Sequence, residues 1–514
     1  MAFVPNLGIA FQEIAHRHAD RIALIYPATG ERITYRELNQ LADRIAGVLC
    51  AKGIRHGQVA AMFHDKSLAA FAAMLACLRL GIIYTNLDPD SPWERLRKIL
   101  STCQPSVIIN AFQKMPFATD LDAEGFHNAL HLRDMQASTV DEPLSDCHTI
   151  GGGSPAYIMF TSGPTGTPKG AVMSHANLLW FTAWARDRFA ITPGDVLSNV
   201  NPIYFDNSVF DFYSAIFSGA TLAPFTSAEV RDTRQLVRFI NDAACTIWFS
   251  VPSLLVYLLT TRALTKQDFP TIRTIIFGGE GFPKAKLYQL YTLFNARVTL
   301  ENVYGPTECT CICSAHTISS SDFDDMQSLA PLGLLAPNFE YEILAADQTD
   351  PDFGELFLRG PQVGLGYYND TERTTKAFIQ NPLHSLYADV GYRSGDLVRR
   401  DGHGWLHFKG RADFQIKHMG YRIELEEIEA AIGTLPEIKE CAVIYQKLGN
   451  GLGEIIAFAA MSTPQPSEEL RRKISAIVPP YMLPRHVIAL DLLPKNANGK
   501  IDRVALQNLS DSSC

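Results

Sequence analysis

Between Thr161 and Gly170 the chain reads TSGPTGTPKG, directly after the apolar run AYIMF. Gly163 and Gly166 leave the backbone bare, so its N–H groups can approach an anion closely. The hydroxyls of Thr161, Ser162, Thr165 and Thr167 add donors, and Lys169 adds a positive charge. A phosphate suits that inventory. The pattern is not Walker A, because Gly170 follows Lys169 where Walker A has Ser or Thr for magnesium. Four further segments carry chemistry-bearing residues. Tyr304-Gly305-Pro306-Thr307-Glu308 joins a ring that can stack on a base, a hydroxyl for a phosphate and a carboxylate for magnesium. Ser394-Gly395-Asp396 presents a carboxylate after a glycine turn, suited to the paired hydroxyls of a ribose. Gly410-Arg411-Ala412-Asp413 leads into Gln415, Lys417 and GYRIELEEIE. Asn498-Gly499-Lys500-Ile501-Asp502-Arg503 puts a lysine on a turn. Taken singly, the Tyr304 segment is a weak signal, and an acidic turn residue such as Asp396 or a lone lysine on a turn such as Lys500 is solvated more often than functional.

The elements that must position these residues belong to a large chain. At 514 residues it exceeds the size at which one core stops growing, so a large body plus at least one further unit is expected. With 47% hydrophobic and 19% charged residues, disorder is excluded over most of the length. A net charge of −9 argues against a nucleic-acid partner. Ten cysteines are too sparse for a disulfide scaffold, and the alternating Cys309, Cys311 and Cys313 match no common zinc spacing. They read as small buried hydrophobes. Glu13, His16 and His18 interrupt the N-terminus before a signal-peptide core can form. Leu68–Leu80 is apolar but shorter than the roughly 20 residues a bilayer needs, so no membrane insertion is expected. A soluble protein of a reducing compartment, most simply a cytoplasm, follows.

From Thr34 to Leu49, Leu38, Leu41, Ile45 and Leu49 fall at helical spacing, with Thr34 and Glu37 as a capping box. Then GQVAAMF reads as a strand, SLAAFAAMLACLRL as a helix and GIIYTNL as a strand. SVIIN, AYIMF, TIWFSV and TIIFGG continue the alternation. Such alternation predicts parallel sheets covered by helices, with ligands at the carboxyl ends of the strands. From Gly354, short strands and Gly/Asp turns predict a small antiparallel, barrel-like subdomain. After Arg411, helix and strand patterns predict an α+β domain of about a hundred residues. The expected division is a large N-terminal α/β domain over 1–412 and a small, mobile C-terminal domain over 413–514.

In order and spacing the five segments resemble the adenylate-forming superfamily of acyl- and aminoacyl-activating enzymes along nearly the entire chain. Its amino-acid-activating adenylation enzymes fit best. FDNSVFDFY, WFSVPSL, FGGE and DFQIKHMGYRIELEEIE are most similar to the stand-alone D-alanine–carrier protein ligases. The resemblance implies that an amino acid and ATP form an aminoacyl-adenylate and pyrophosphate, after which a thiol takes the acyl group. It gives Lys500 the meeting point of substrate carboxylate and α-phosphate, and Glu308 the magnesium ion. Thr161, Ser162, Gly163, Thr165, Gly166, Thr167 and Lys169 would cradle the β- and γ-phosphates, and Thr307 would touch the AMP phosphate. Tyr304, followed by Gly305, would stack on adenine with Gly279 and Glu280 along its edge. Asp396 and Arg411 would hold the ribose.

The same resemblance makes Asp206 the partner of the substrate α-amino group. It places Asn207, Phe210, Phe249, Ile276, Gly278, Val303, Cys311 and Ile312 around a neutral side chain. Asp413 would be the interdomain pivot, and Gly420 would lie against a pantetheine arm. Pro164 stands where the family usually has Ser, which removes a hydroxyl and an N–H and implies weaker ATP binding. Gly278 stands where D-alanine ligases commonly have Cys, which implies a larger pocket and leaves a bigger neutral amino acid open beside D-alanine. Fourteen residues follow Lys500, so a separate phosphopantetheinylated carrier protein, or coenzyme A, is the expected acceptor. A D-alanine ligase for cell-wall decoration, an acyl-CoA synthetase and a catalytically silent nucleotide-binding protein are the alternatives.

Overall fold

Thr34 caps the helix Tyr35–Ala51, and both bonds of its capping box with Glu37 are present. The computed structural model describes residues 6–138, 149–163, 166–345, 350–448, 453–461, 465–495 and 501–513. Leu38, Leu41, Ile45 and Leu49 of that helix are buried. The next helix, Leu68–Leu80, is buried on nearly every side. Even Arg79 lies inside, paired with Asp43 and donating to Asn39. All-round burial in protein explains its apolar run. No helix among the described residues is long and apolar enough to cross a membrane.

The chain divides into two compact units. The first comprises Met1–Leu87, Cys103–Phe160 and Gly170–Ala412; the second comprises Asp88–Thr102, Thr161–Lys169 and Asp413–Cys514. Helix–strand alternation yields two mainly parallel sheets. In a seven-stranded sheet, Val59–Phe63 pairs in parallel with Ile83–Leu87 and Val107–Asn110. In a nine-stranded sheet, Val196–Asn199, Ile247–Ser250, Thr274–Gly278 and Thr299–Tyr304 lie side by side and parallel. Antiparallel strands close both edges of this sheet. Its register sets Phe249 beside Ile276 and Gly278 beside Val303.

Asp195 fastens the amino ends of these strands. Its carboxylate accepts from Thr192 N–H and Oγ1, from Thr246 Oγ1 and from Arg273 Nε, at 2.7–2.9 Å. Burial pushes its pKa up, but Arg273, Thr246 and Thr192 outweigh burial and hold it below the usual carboxylate range. A depressed carboxyl pKa stabilises the fold above the unfolded pKa and loses that contribution as pH falls through the folded one. Asp195→Asn should therefore cost about 2 kcal/mol at pH 7, with Arg273 partly exposed and its pairing discounted accordingly. Urea unfolding should show the deficit narrowing as the pH is lowered through the carboxylate range.

A third, five-stranded antiparallel sheet contains Glu340–Leu344, Phe353–Arg359, Phe378–Gln380, Val390–Arg400 and Leu406–Arg411. The run YRSGDLVRRD, read as a strand, lies within the strand Val390–Arg400 up to Arg400, and the glycine turn before Asp396 is an irregularity inside that strand. Opposite it the register slips, with Glu355 facing Leu397 and Phe357 facing Arg393. Gly395 takes φ +72°, so the segment is a bulge that re-aims Asp396 without ending the strand. In the second unit, Ile423, Leu425, Ile428 and Ile432 pack with Val443, Ile455, Leu470 and Ile474 into a core.

Candidate active site

The carboxyl ends of the central parallel strands run directly into the predicted site segments. Val196–Asn199 leads to Asp206, Ile247–Ser250 carries Phe249 near its end, Thr274–Gly278 leads to Gly279 and Glu280, and Thr299–Tyr304 opens into Gly305–Glu308. Asp206 precedes the helix Asn207–Ile216 but does not cap it with its side chain. Its Oδ2 instead accepts the Thr307 hydroxyl at 2.6 Å. Thr307, expected on the AMP phosphate, is thus engaged here by the residue expected to hold the amine. Phe210 meets Phe249 edge to face at 5.1 Å. Ile276, Val303, Cys311 and Ile312 are buried with them in one core. Burial, and after it the charge of Asp206, pushes the Cys311 thiol far up, so the sulfur stays protonated.

Thr310 and Cys311 sit at φ +59° and +72°, a strained pair of non-glycine residues of the kind that gathers at functional sites. The strained loop folds back on the Tyr304 segment. A Cβ at Gly305 would come within 2.3 Å of Cys311 O, which makes glycine obligatory in that motif. Gly278 needs the same account, and it corrects an expectation. A Cβ there would lie 2.4 Å from Val303 O and 2.7 Å from Val303 Cγ2. The missing side chain is taken up by the close approach of the neighbouring strand, so Gly278 does not simply enlarge the pocket.

On the nucleotide side, the Tyr304 hydroxyl donates to Asp396 Oδ2 at 2.6 Å, and Arg411 Nη1 donates to Asp396 Oδ1 at 2.8 Å and to Ser394 O at 2.7 Å. Tyr304, expected to stack on adenine, and Asp396, expected to hold the ribose, are therefore one hydrogen-bonded group. Burial, then the charge of Asp396, drives the Tyr304 hydroxyl pKa far up, so it remains a donor. Gly279 takes φ +89° next to Asn207. Glu280 Oε1 accepts Ser253 N–H at 2.7 Å. Glu308 is fully buried, and its Oε1 accepts the Tyr367 hydroxyl at 2.7 Å. Among the described residues no three His, Cys, Asp or Glu side chains gather to hold a metal. One buried carboxylate fits magnesium nonetheless, because that ion is commonly bound by one or two carboxylates plus substrate phosphates.

The glycine-rich loop belongs to the second unit. Thr161 Oγ1 is buried without a hydrogen-bond partner. Ser162 Oγ donates to Arg422 O at 2.7 Å and accepts Glu424 N–H at 3.1 Å. Gly163 N–H donates to Glu427 Oε2 at 3.0 Å, and Lys169 Nζ lies 3.8 Å from Glu424 Oε1. Glu427 also pairs with buried Arg95. Gly166, at φ +72°, accepts Lys98 Nζ at its carbonyl, and Thr167 is half-buried. The loop thus directs an amide and an ammonium at carboxylates, which is the donor set an anion needs. Asp413 Oδ1 accepts Gln415 N–H. Gly420, at φ +82°, turns Gln415–His418 into Tyr421–Glu424. Pro164, Thr165 and Lys500 lie outside the described residues.

Fold and site define an adenylate-forming enzyme. The chain belongs to the AMP-binding enzyme family: residues 11–368 match that family and residues 427–500 match the AMP-binding enzyme C-terminal domain. It is 33% identical over 93% of its length to an L-proline–[L-prolyl-carrier protein] ligase of Pseudomonas fluorescens, covering 94% of that protein. It is 30% identical over 98% of its length to a D-alanine–D-alanyl carrier protein ligase of Lacticaseibacillus paracasei, covering 99% of it. Tyrocidine synthase 3 of Brevibacillus parabrevis is 31% identical over 98% of this chain, which spans 8% of that much longer protein. Among solved structures, a Vibrio cholerae adenylation domain in complex with glycyl-adenosine-5'-phosphate has the same fold, with a TM-score of 0.82, 24% identity and coverage of 100% and 99% of the two chains.

Sequence reading missed Tyr367 on Glu308, and Arg95 and Lys98 beside the glycine-rich loop. GLGYY carries no signal for a carboxylate 59 residues away, and the two cations sit on an ordinary amphipathic helix, Trp93–Cys103.

Proposed function

We propose that this chain activates a neutral amino acid with ATP and transfers it to the phosphopantetheine thiol of a separate carrier protein. In the first half-reaction a substrate carboxylate oxygen bonds to the α-phosphorus, the bond to the β-phosphate oxygen breaks, and pyrophosphate leaves. In the second, a thiolate sulfur bonds to the acyl carbon, the C–O bond to AMP breaks, and AMP leaves. The observation that carries this reading is the 2.6 Å bond from Thr307 to Asp206. It joins the segment read as nucleotide-binding to a half-buried carboxylate at the start of the helix that carries Phe210, where an ammonium taken from water would need a partner.

Each residue then has a task. Asp206 fixes the amine, and Phe210, Phe249, Ile276, Val303, Cys311 and Ile312 surround an uncharged side chain, with the Asn207 amide beside them. Tyr304 carries the base, Asp396 the ribose hydroxyls and Arg411 the charge of Asp396. The Thr161–Lys169 loop holds the outer phosphates. Glu308 would hold magnesium, which when bound screens the phosphate charge. Lys500 delivers a cation to the reacting oxygens, carried on a mobile domain over 413–514 that pivots at Asp413. The activities of the L-prolyl and D-alanyl relatives support an amino acid over a fatty or aryl acid, but they differ in substrate and handedness. A reducing, cytoplasmic compartment fits the sparse cysteines.

Carrier loading tests the whole sequence. With ATP, magnesium and a neutral amino acid, intact-mass measurement should show an aminoacyl group on the phosphopantetheinylated carrier and none on its apo form; loading of coenzyme A alone would overturn the carrier assignment. Gly420→Trp should cut loading by about a hundredfold while leaving pyrophosphate exchange within about threefold. A side chain at φ +82° costs roughly 1–2 kcal/mol, so Gly420→Ala serves as the strain control and should load normally. Equal loss in both half-reactions would contradict the pantetheine role.

A further inference from the structure

Asp211 is fully buried, in the same helix that starts beside Asp206. Its Oδ2 accepts two side-chain amides, Asn199 Nδ2 at 2.9 Å and Asn201 Nδ2 at 3.0 Å. Asn201 Nδ2 also donates to Phe249 O at 3.0 Å. One carboxylate oxygen therefore ties the helix carrying Phe210 to the end of one central strand and, through Asn201, to the pocket residue on the next.

The counter-charge comes from below. Lys66, itself buried, donates from Nζ to Asn199 O and Phe225 O at 2.8 Å each. Asn199 stands between the charges, its carbonyl toward Lys66 and its amide toward Asp211. Burial pushes Asp211 up and Lys66 down, while each charge holds the other toward its ionised form. Asp211 Oδ1 and Asn199 Oδ1 are buried with no hydrogen-bond partner. A buried charge pair with unmade acceptors is expensive, and apolar residues of equal volume commonly serve stability as well or better. Asp211 links the helix that carries Phe210, through Asn201, to the backbone of Phe249, and that linkage supplies a reason for keeping a polar acceptor here.

We propose that Asp211 is a positioning residue for the amino-acid pocket, setting the Phe210–Phe249 wall and the direction of Asp206. The inference rests on the reading of Asp206 and its surroundings as the amino-acid site. Asp211→Asn keeps an acceptor oxygen for both amides and loses the charge; Asp211→Leu keeps the bulk and loses both. Pyrophosphate exchange on each variant gives KM for the amino acid, KM for ATP, and the ratio of kcat/KM between two amino acids that differ by one methylene. Asp211→Leu should raise the amino-acid KM on the order of tenfold, leave the ATP KM within about twofold, and flatten the methylene ratio by about fivefold. Asp211→Asn should stay within about threefold of wild type in all three.

If Asp211→Leu does not fold, Asn201→Ala cuts the link to Phe249 and should flatten the ratio in the same direction. A lower melting temperature with both KM values and the ratio unchanged would make Asp211 purely structural and overturn the proposal. A wild-type enzyme that exchanges pyrophosphate with no amino acid at all would instead remove the reading on which the proposal rests.

Discussion

Lys500→Ala should lower amino-acid-dependent pyrophosphate exchange by about 10²–10³-fold, the usual cost of removing one preorganised charge from a developing oxyanion. The reason is electrostatic. A carboxylate attacks a phosphorus that already carries negative oxygens. Two unit charges about 4 Å apart repel by about 1 kcal/mol in water and about 4 kcal/mol at the effective dielectric of a protein surface. With Arg411 paired to Asp396 and the glycine-rich loop proposed for the outer phosphates, the cation for the reacting oxygens is assigned to Lys500. Transfer from a supplied aminoacyl-adenylate to the carrier needs no such neutralisation and should stay within about threefold of wild type. Rapid-quench assays of the two half-reactions would separate these outcomes, and parallel losses would defeat the assigned role.

Asp206→Asn should reduce kcat/KM for the amino acid by about a hundredfold, or roughly 3 kcal/mol. That is the low end for breaking a buried charge pair, because Asp206 is only half-buried. The amide keeps an acceptor for the Thr307 hydroxyl, so the ATP KM should move by no more than about threefold. Asp206→Ala removes that acceptor too and should raise the ATP KM further than the amide does. Steady-state exchange with each substrate varied in turn reads both numbers. An Asp206→Asn enzyme with an unchanged amino-acid KM would show that the amine is held elsewhere.

Sequence made the local elements legible where one physical signal dominated. The capping box of Thr34 and Glu37 and the all-buried Leu68–Leu80 helix follow from neighbouring residues alone. The strands that end at Ser250 and Gly278 were also readable, because short β-rich runs were bounded by Gly, Ser or Pro, whereas the strand Thr299–Tyr304 was not read. The site was legible as residue types in motifs, and less so as geometry. That Thr307 reaches Asp206 across 101 positions depends on which strands lie side by side, which no local pattern encodes. The same holds for Tyr367 on Glu308. Gly395 was readable as a turn-forming glycine and YRSGDLVRRD as a strand, but not the bulge that reconciles the two, which depends on the register of the strand opposite. Gly278 invited a reading of empty space, whereas its missing Cβ is claimed by the backbone of Val303.

In the proposed reaction the Asp206 carboxylate admits only acids that bring an amine to the adenylation chemistry. Amino-acid-dependent ATP–pyrophosphate exchange tests it most directly, run across D- and L-amino acids and, in parallel, the matching acids that lack the amine. Exchange with one or a few neutral amino acids, and at least a hundredfold less with their amine-free counterparts, is the predicted result. Exchange supported by the amine-free acids equally well would contradict it.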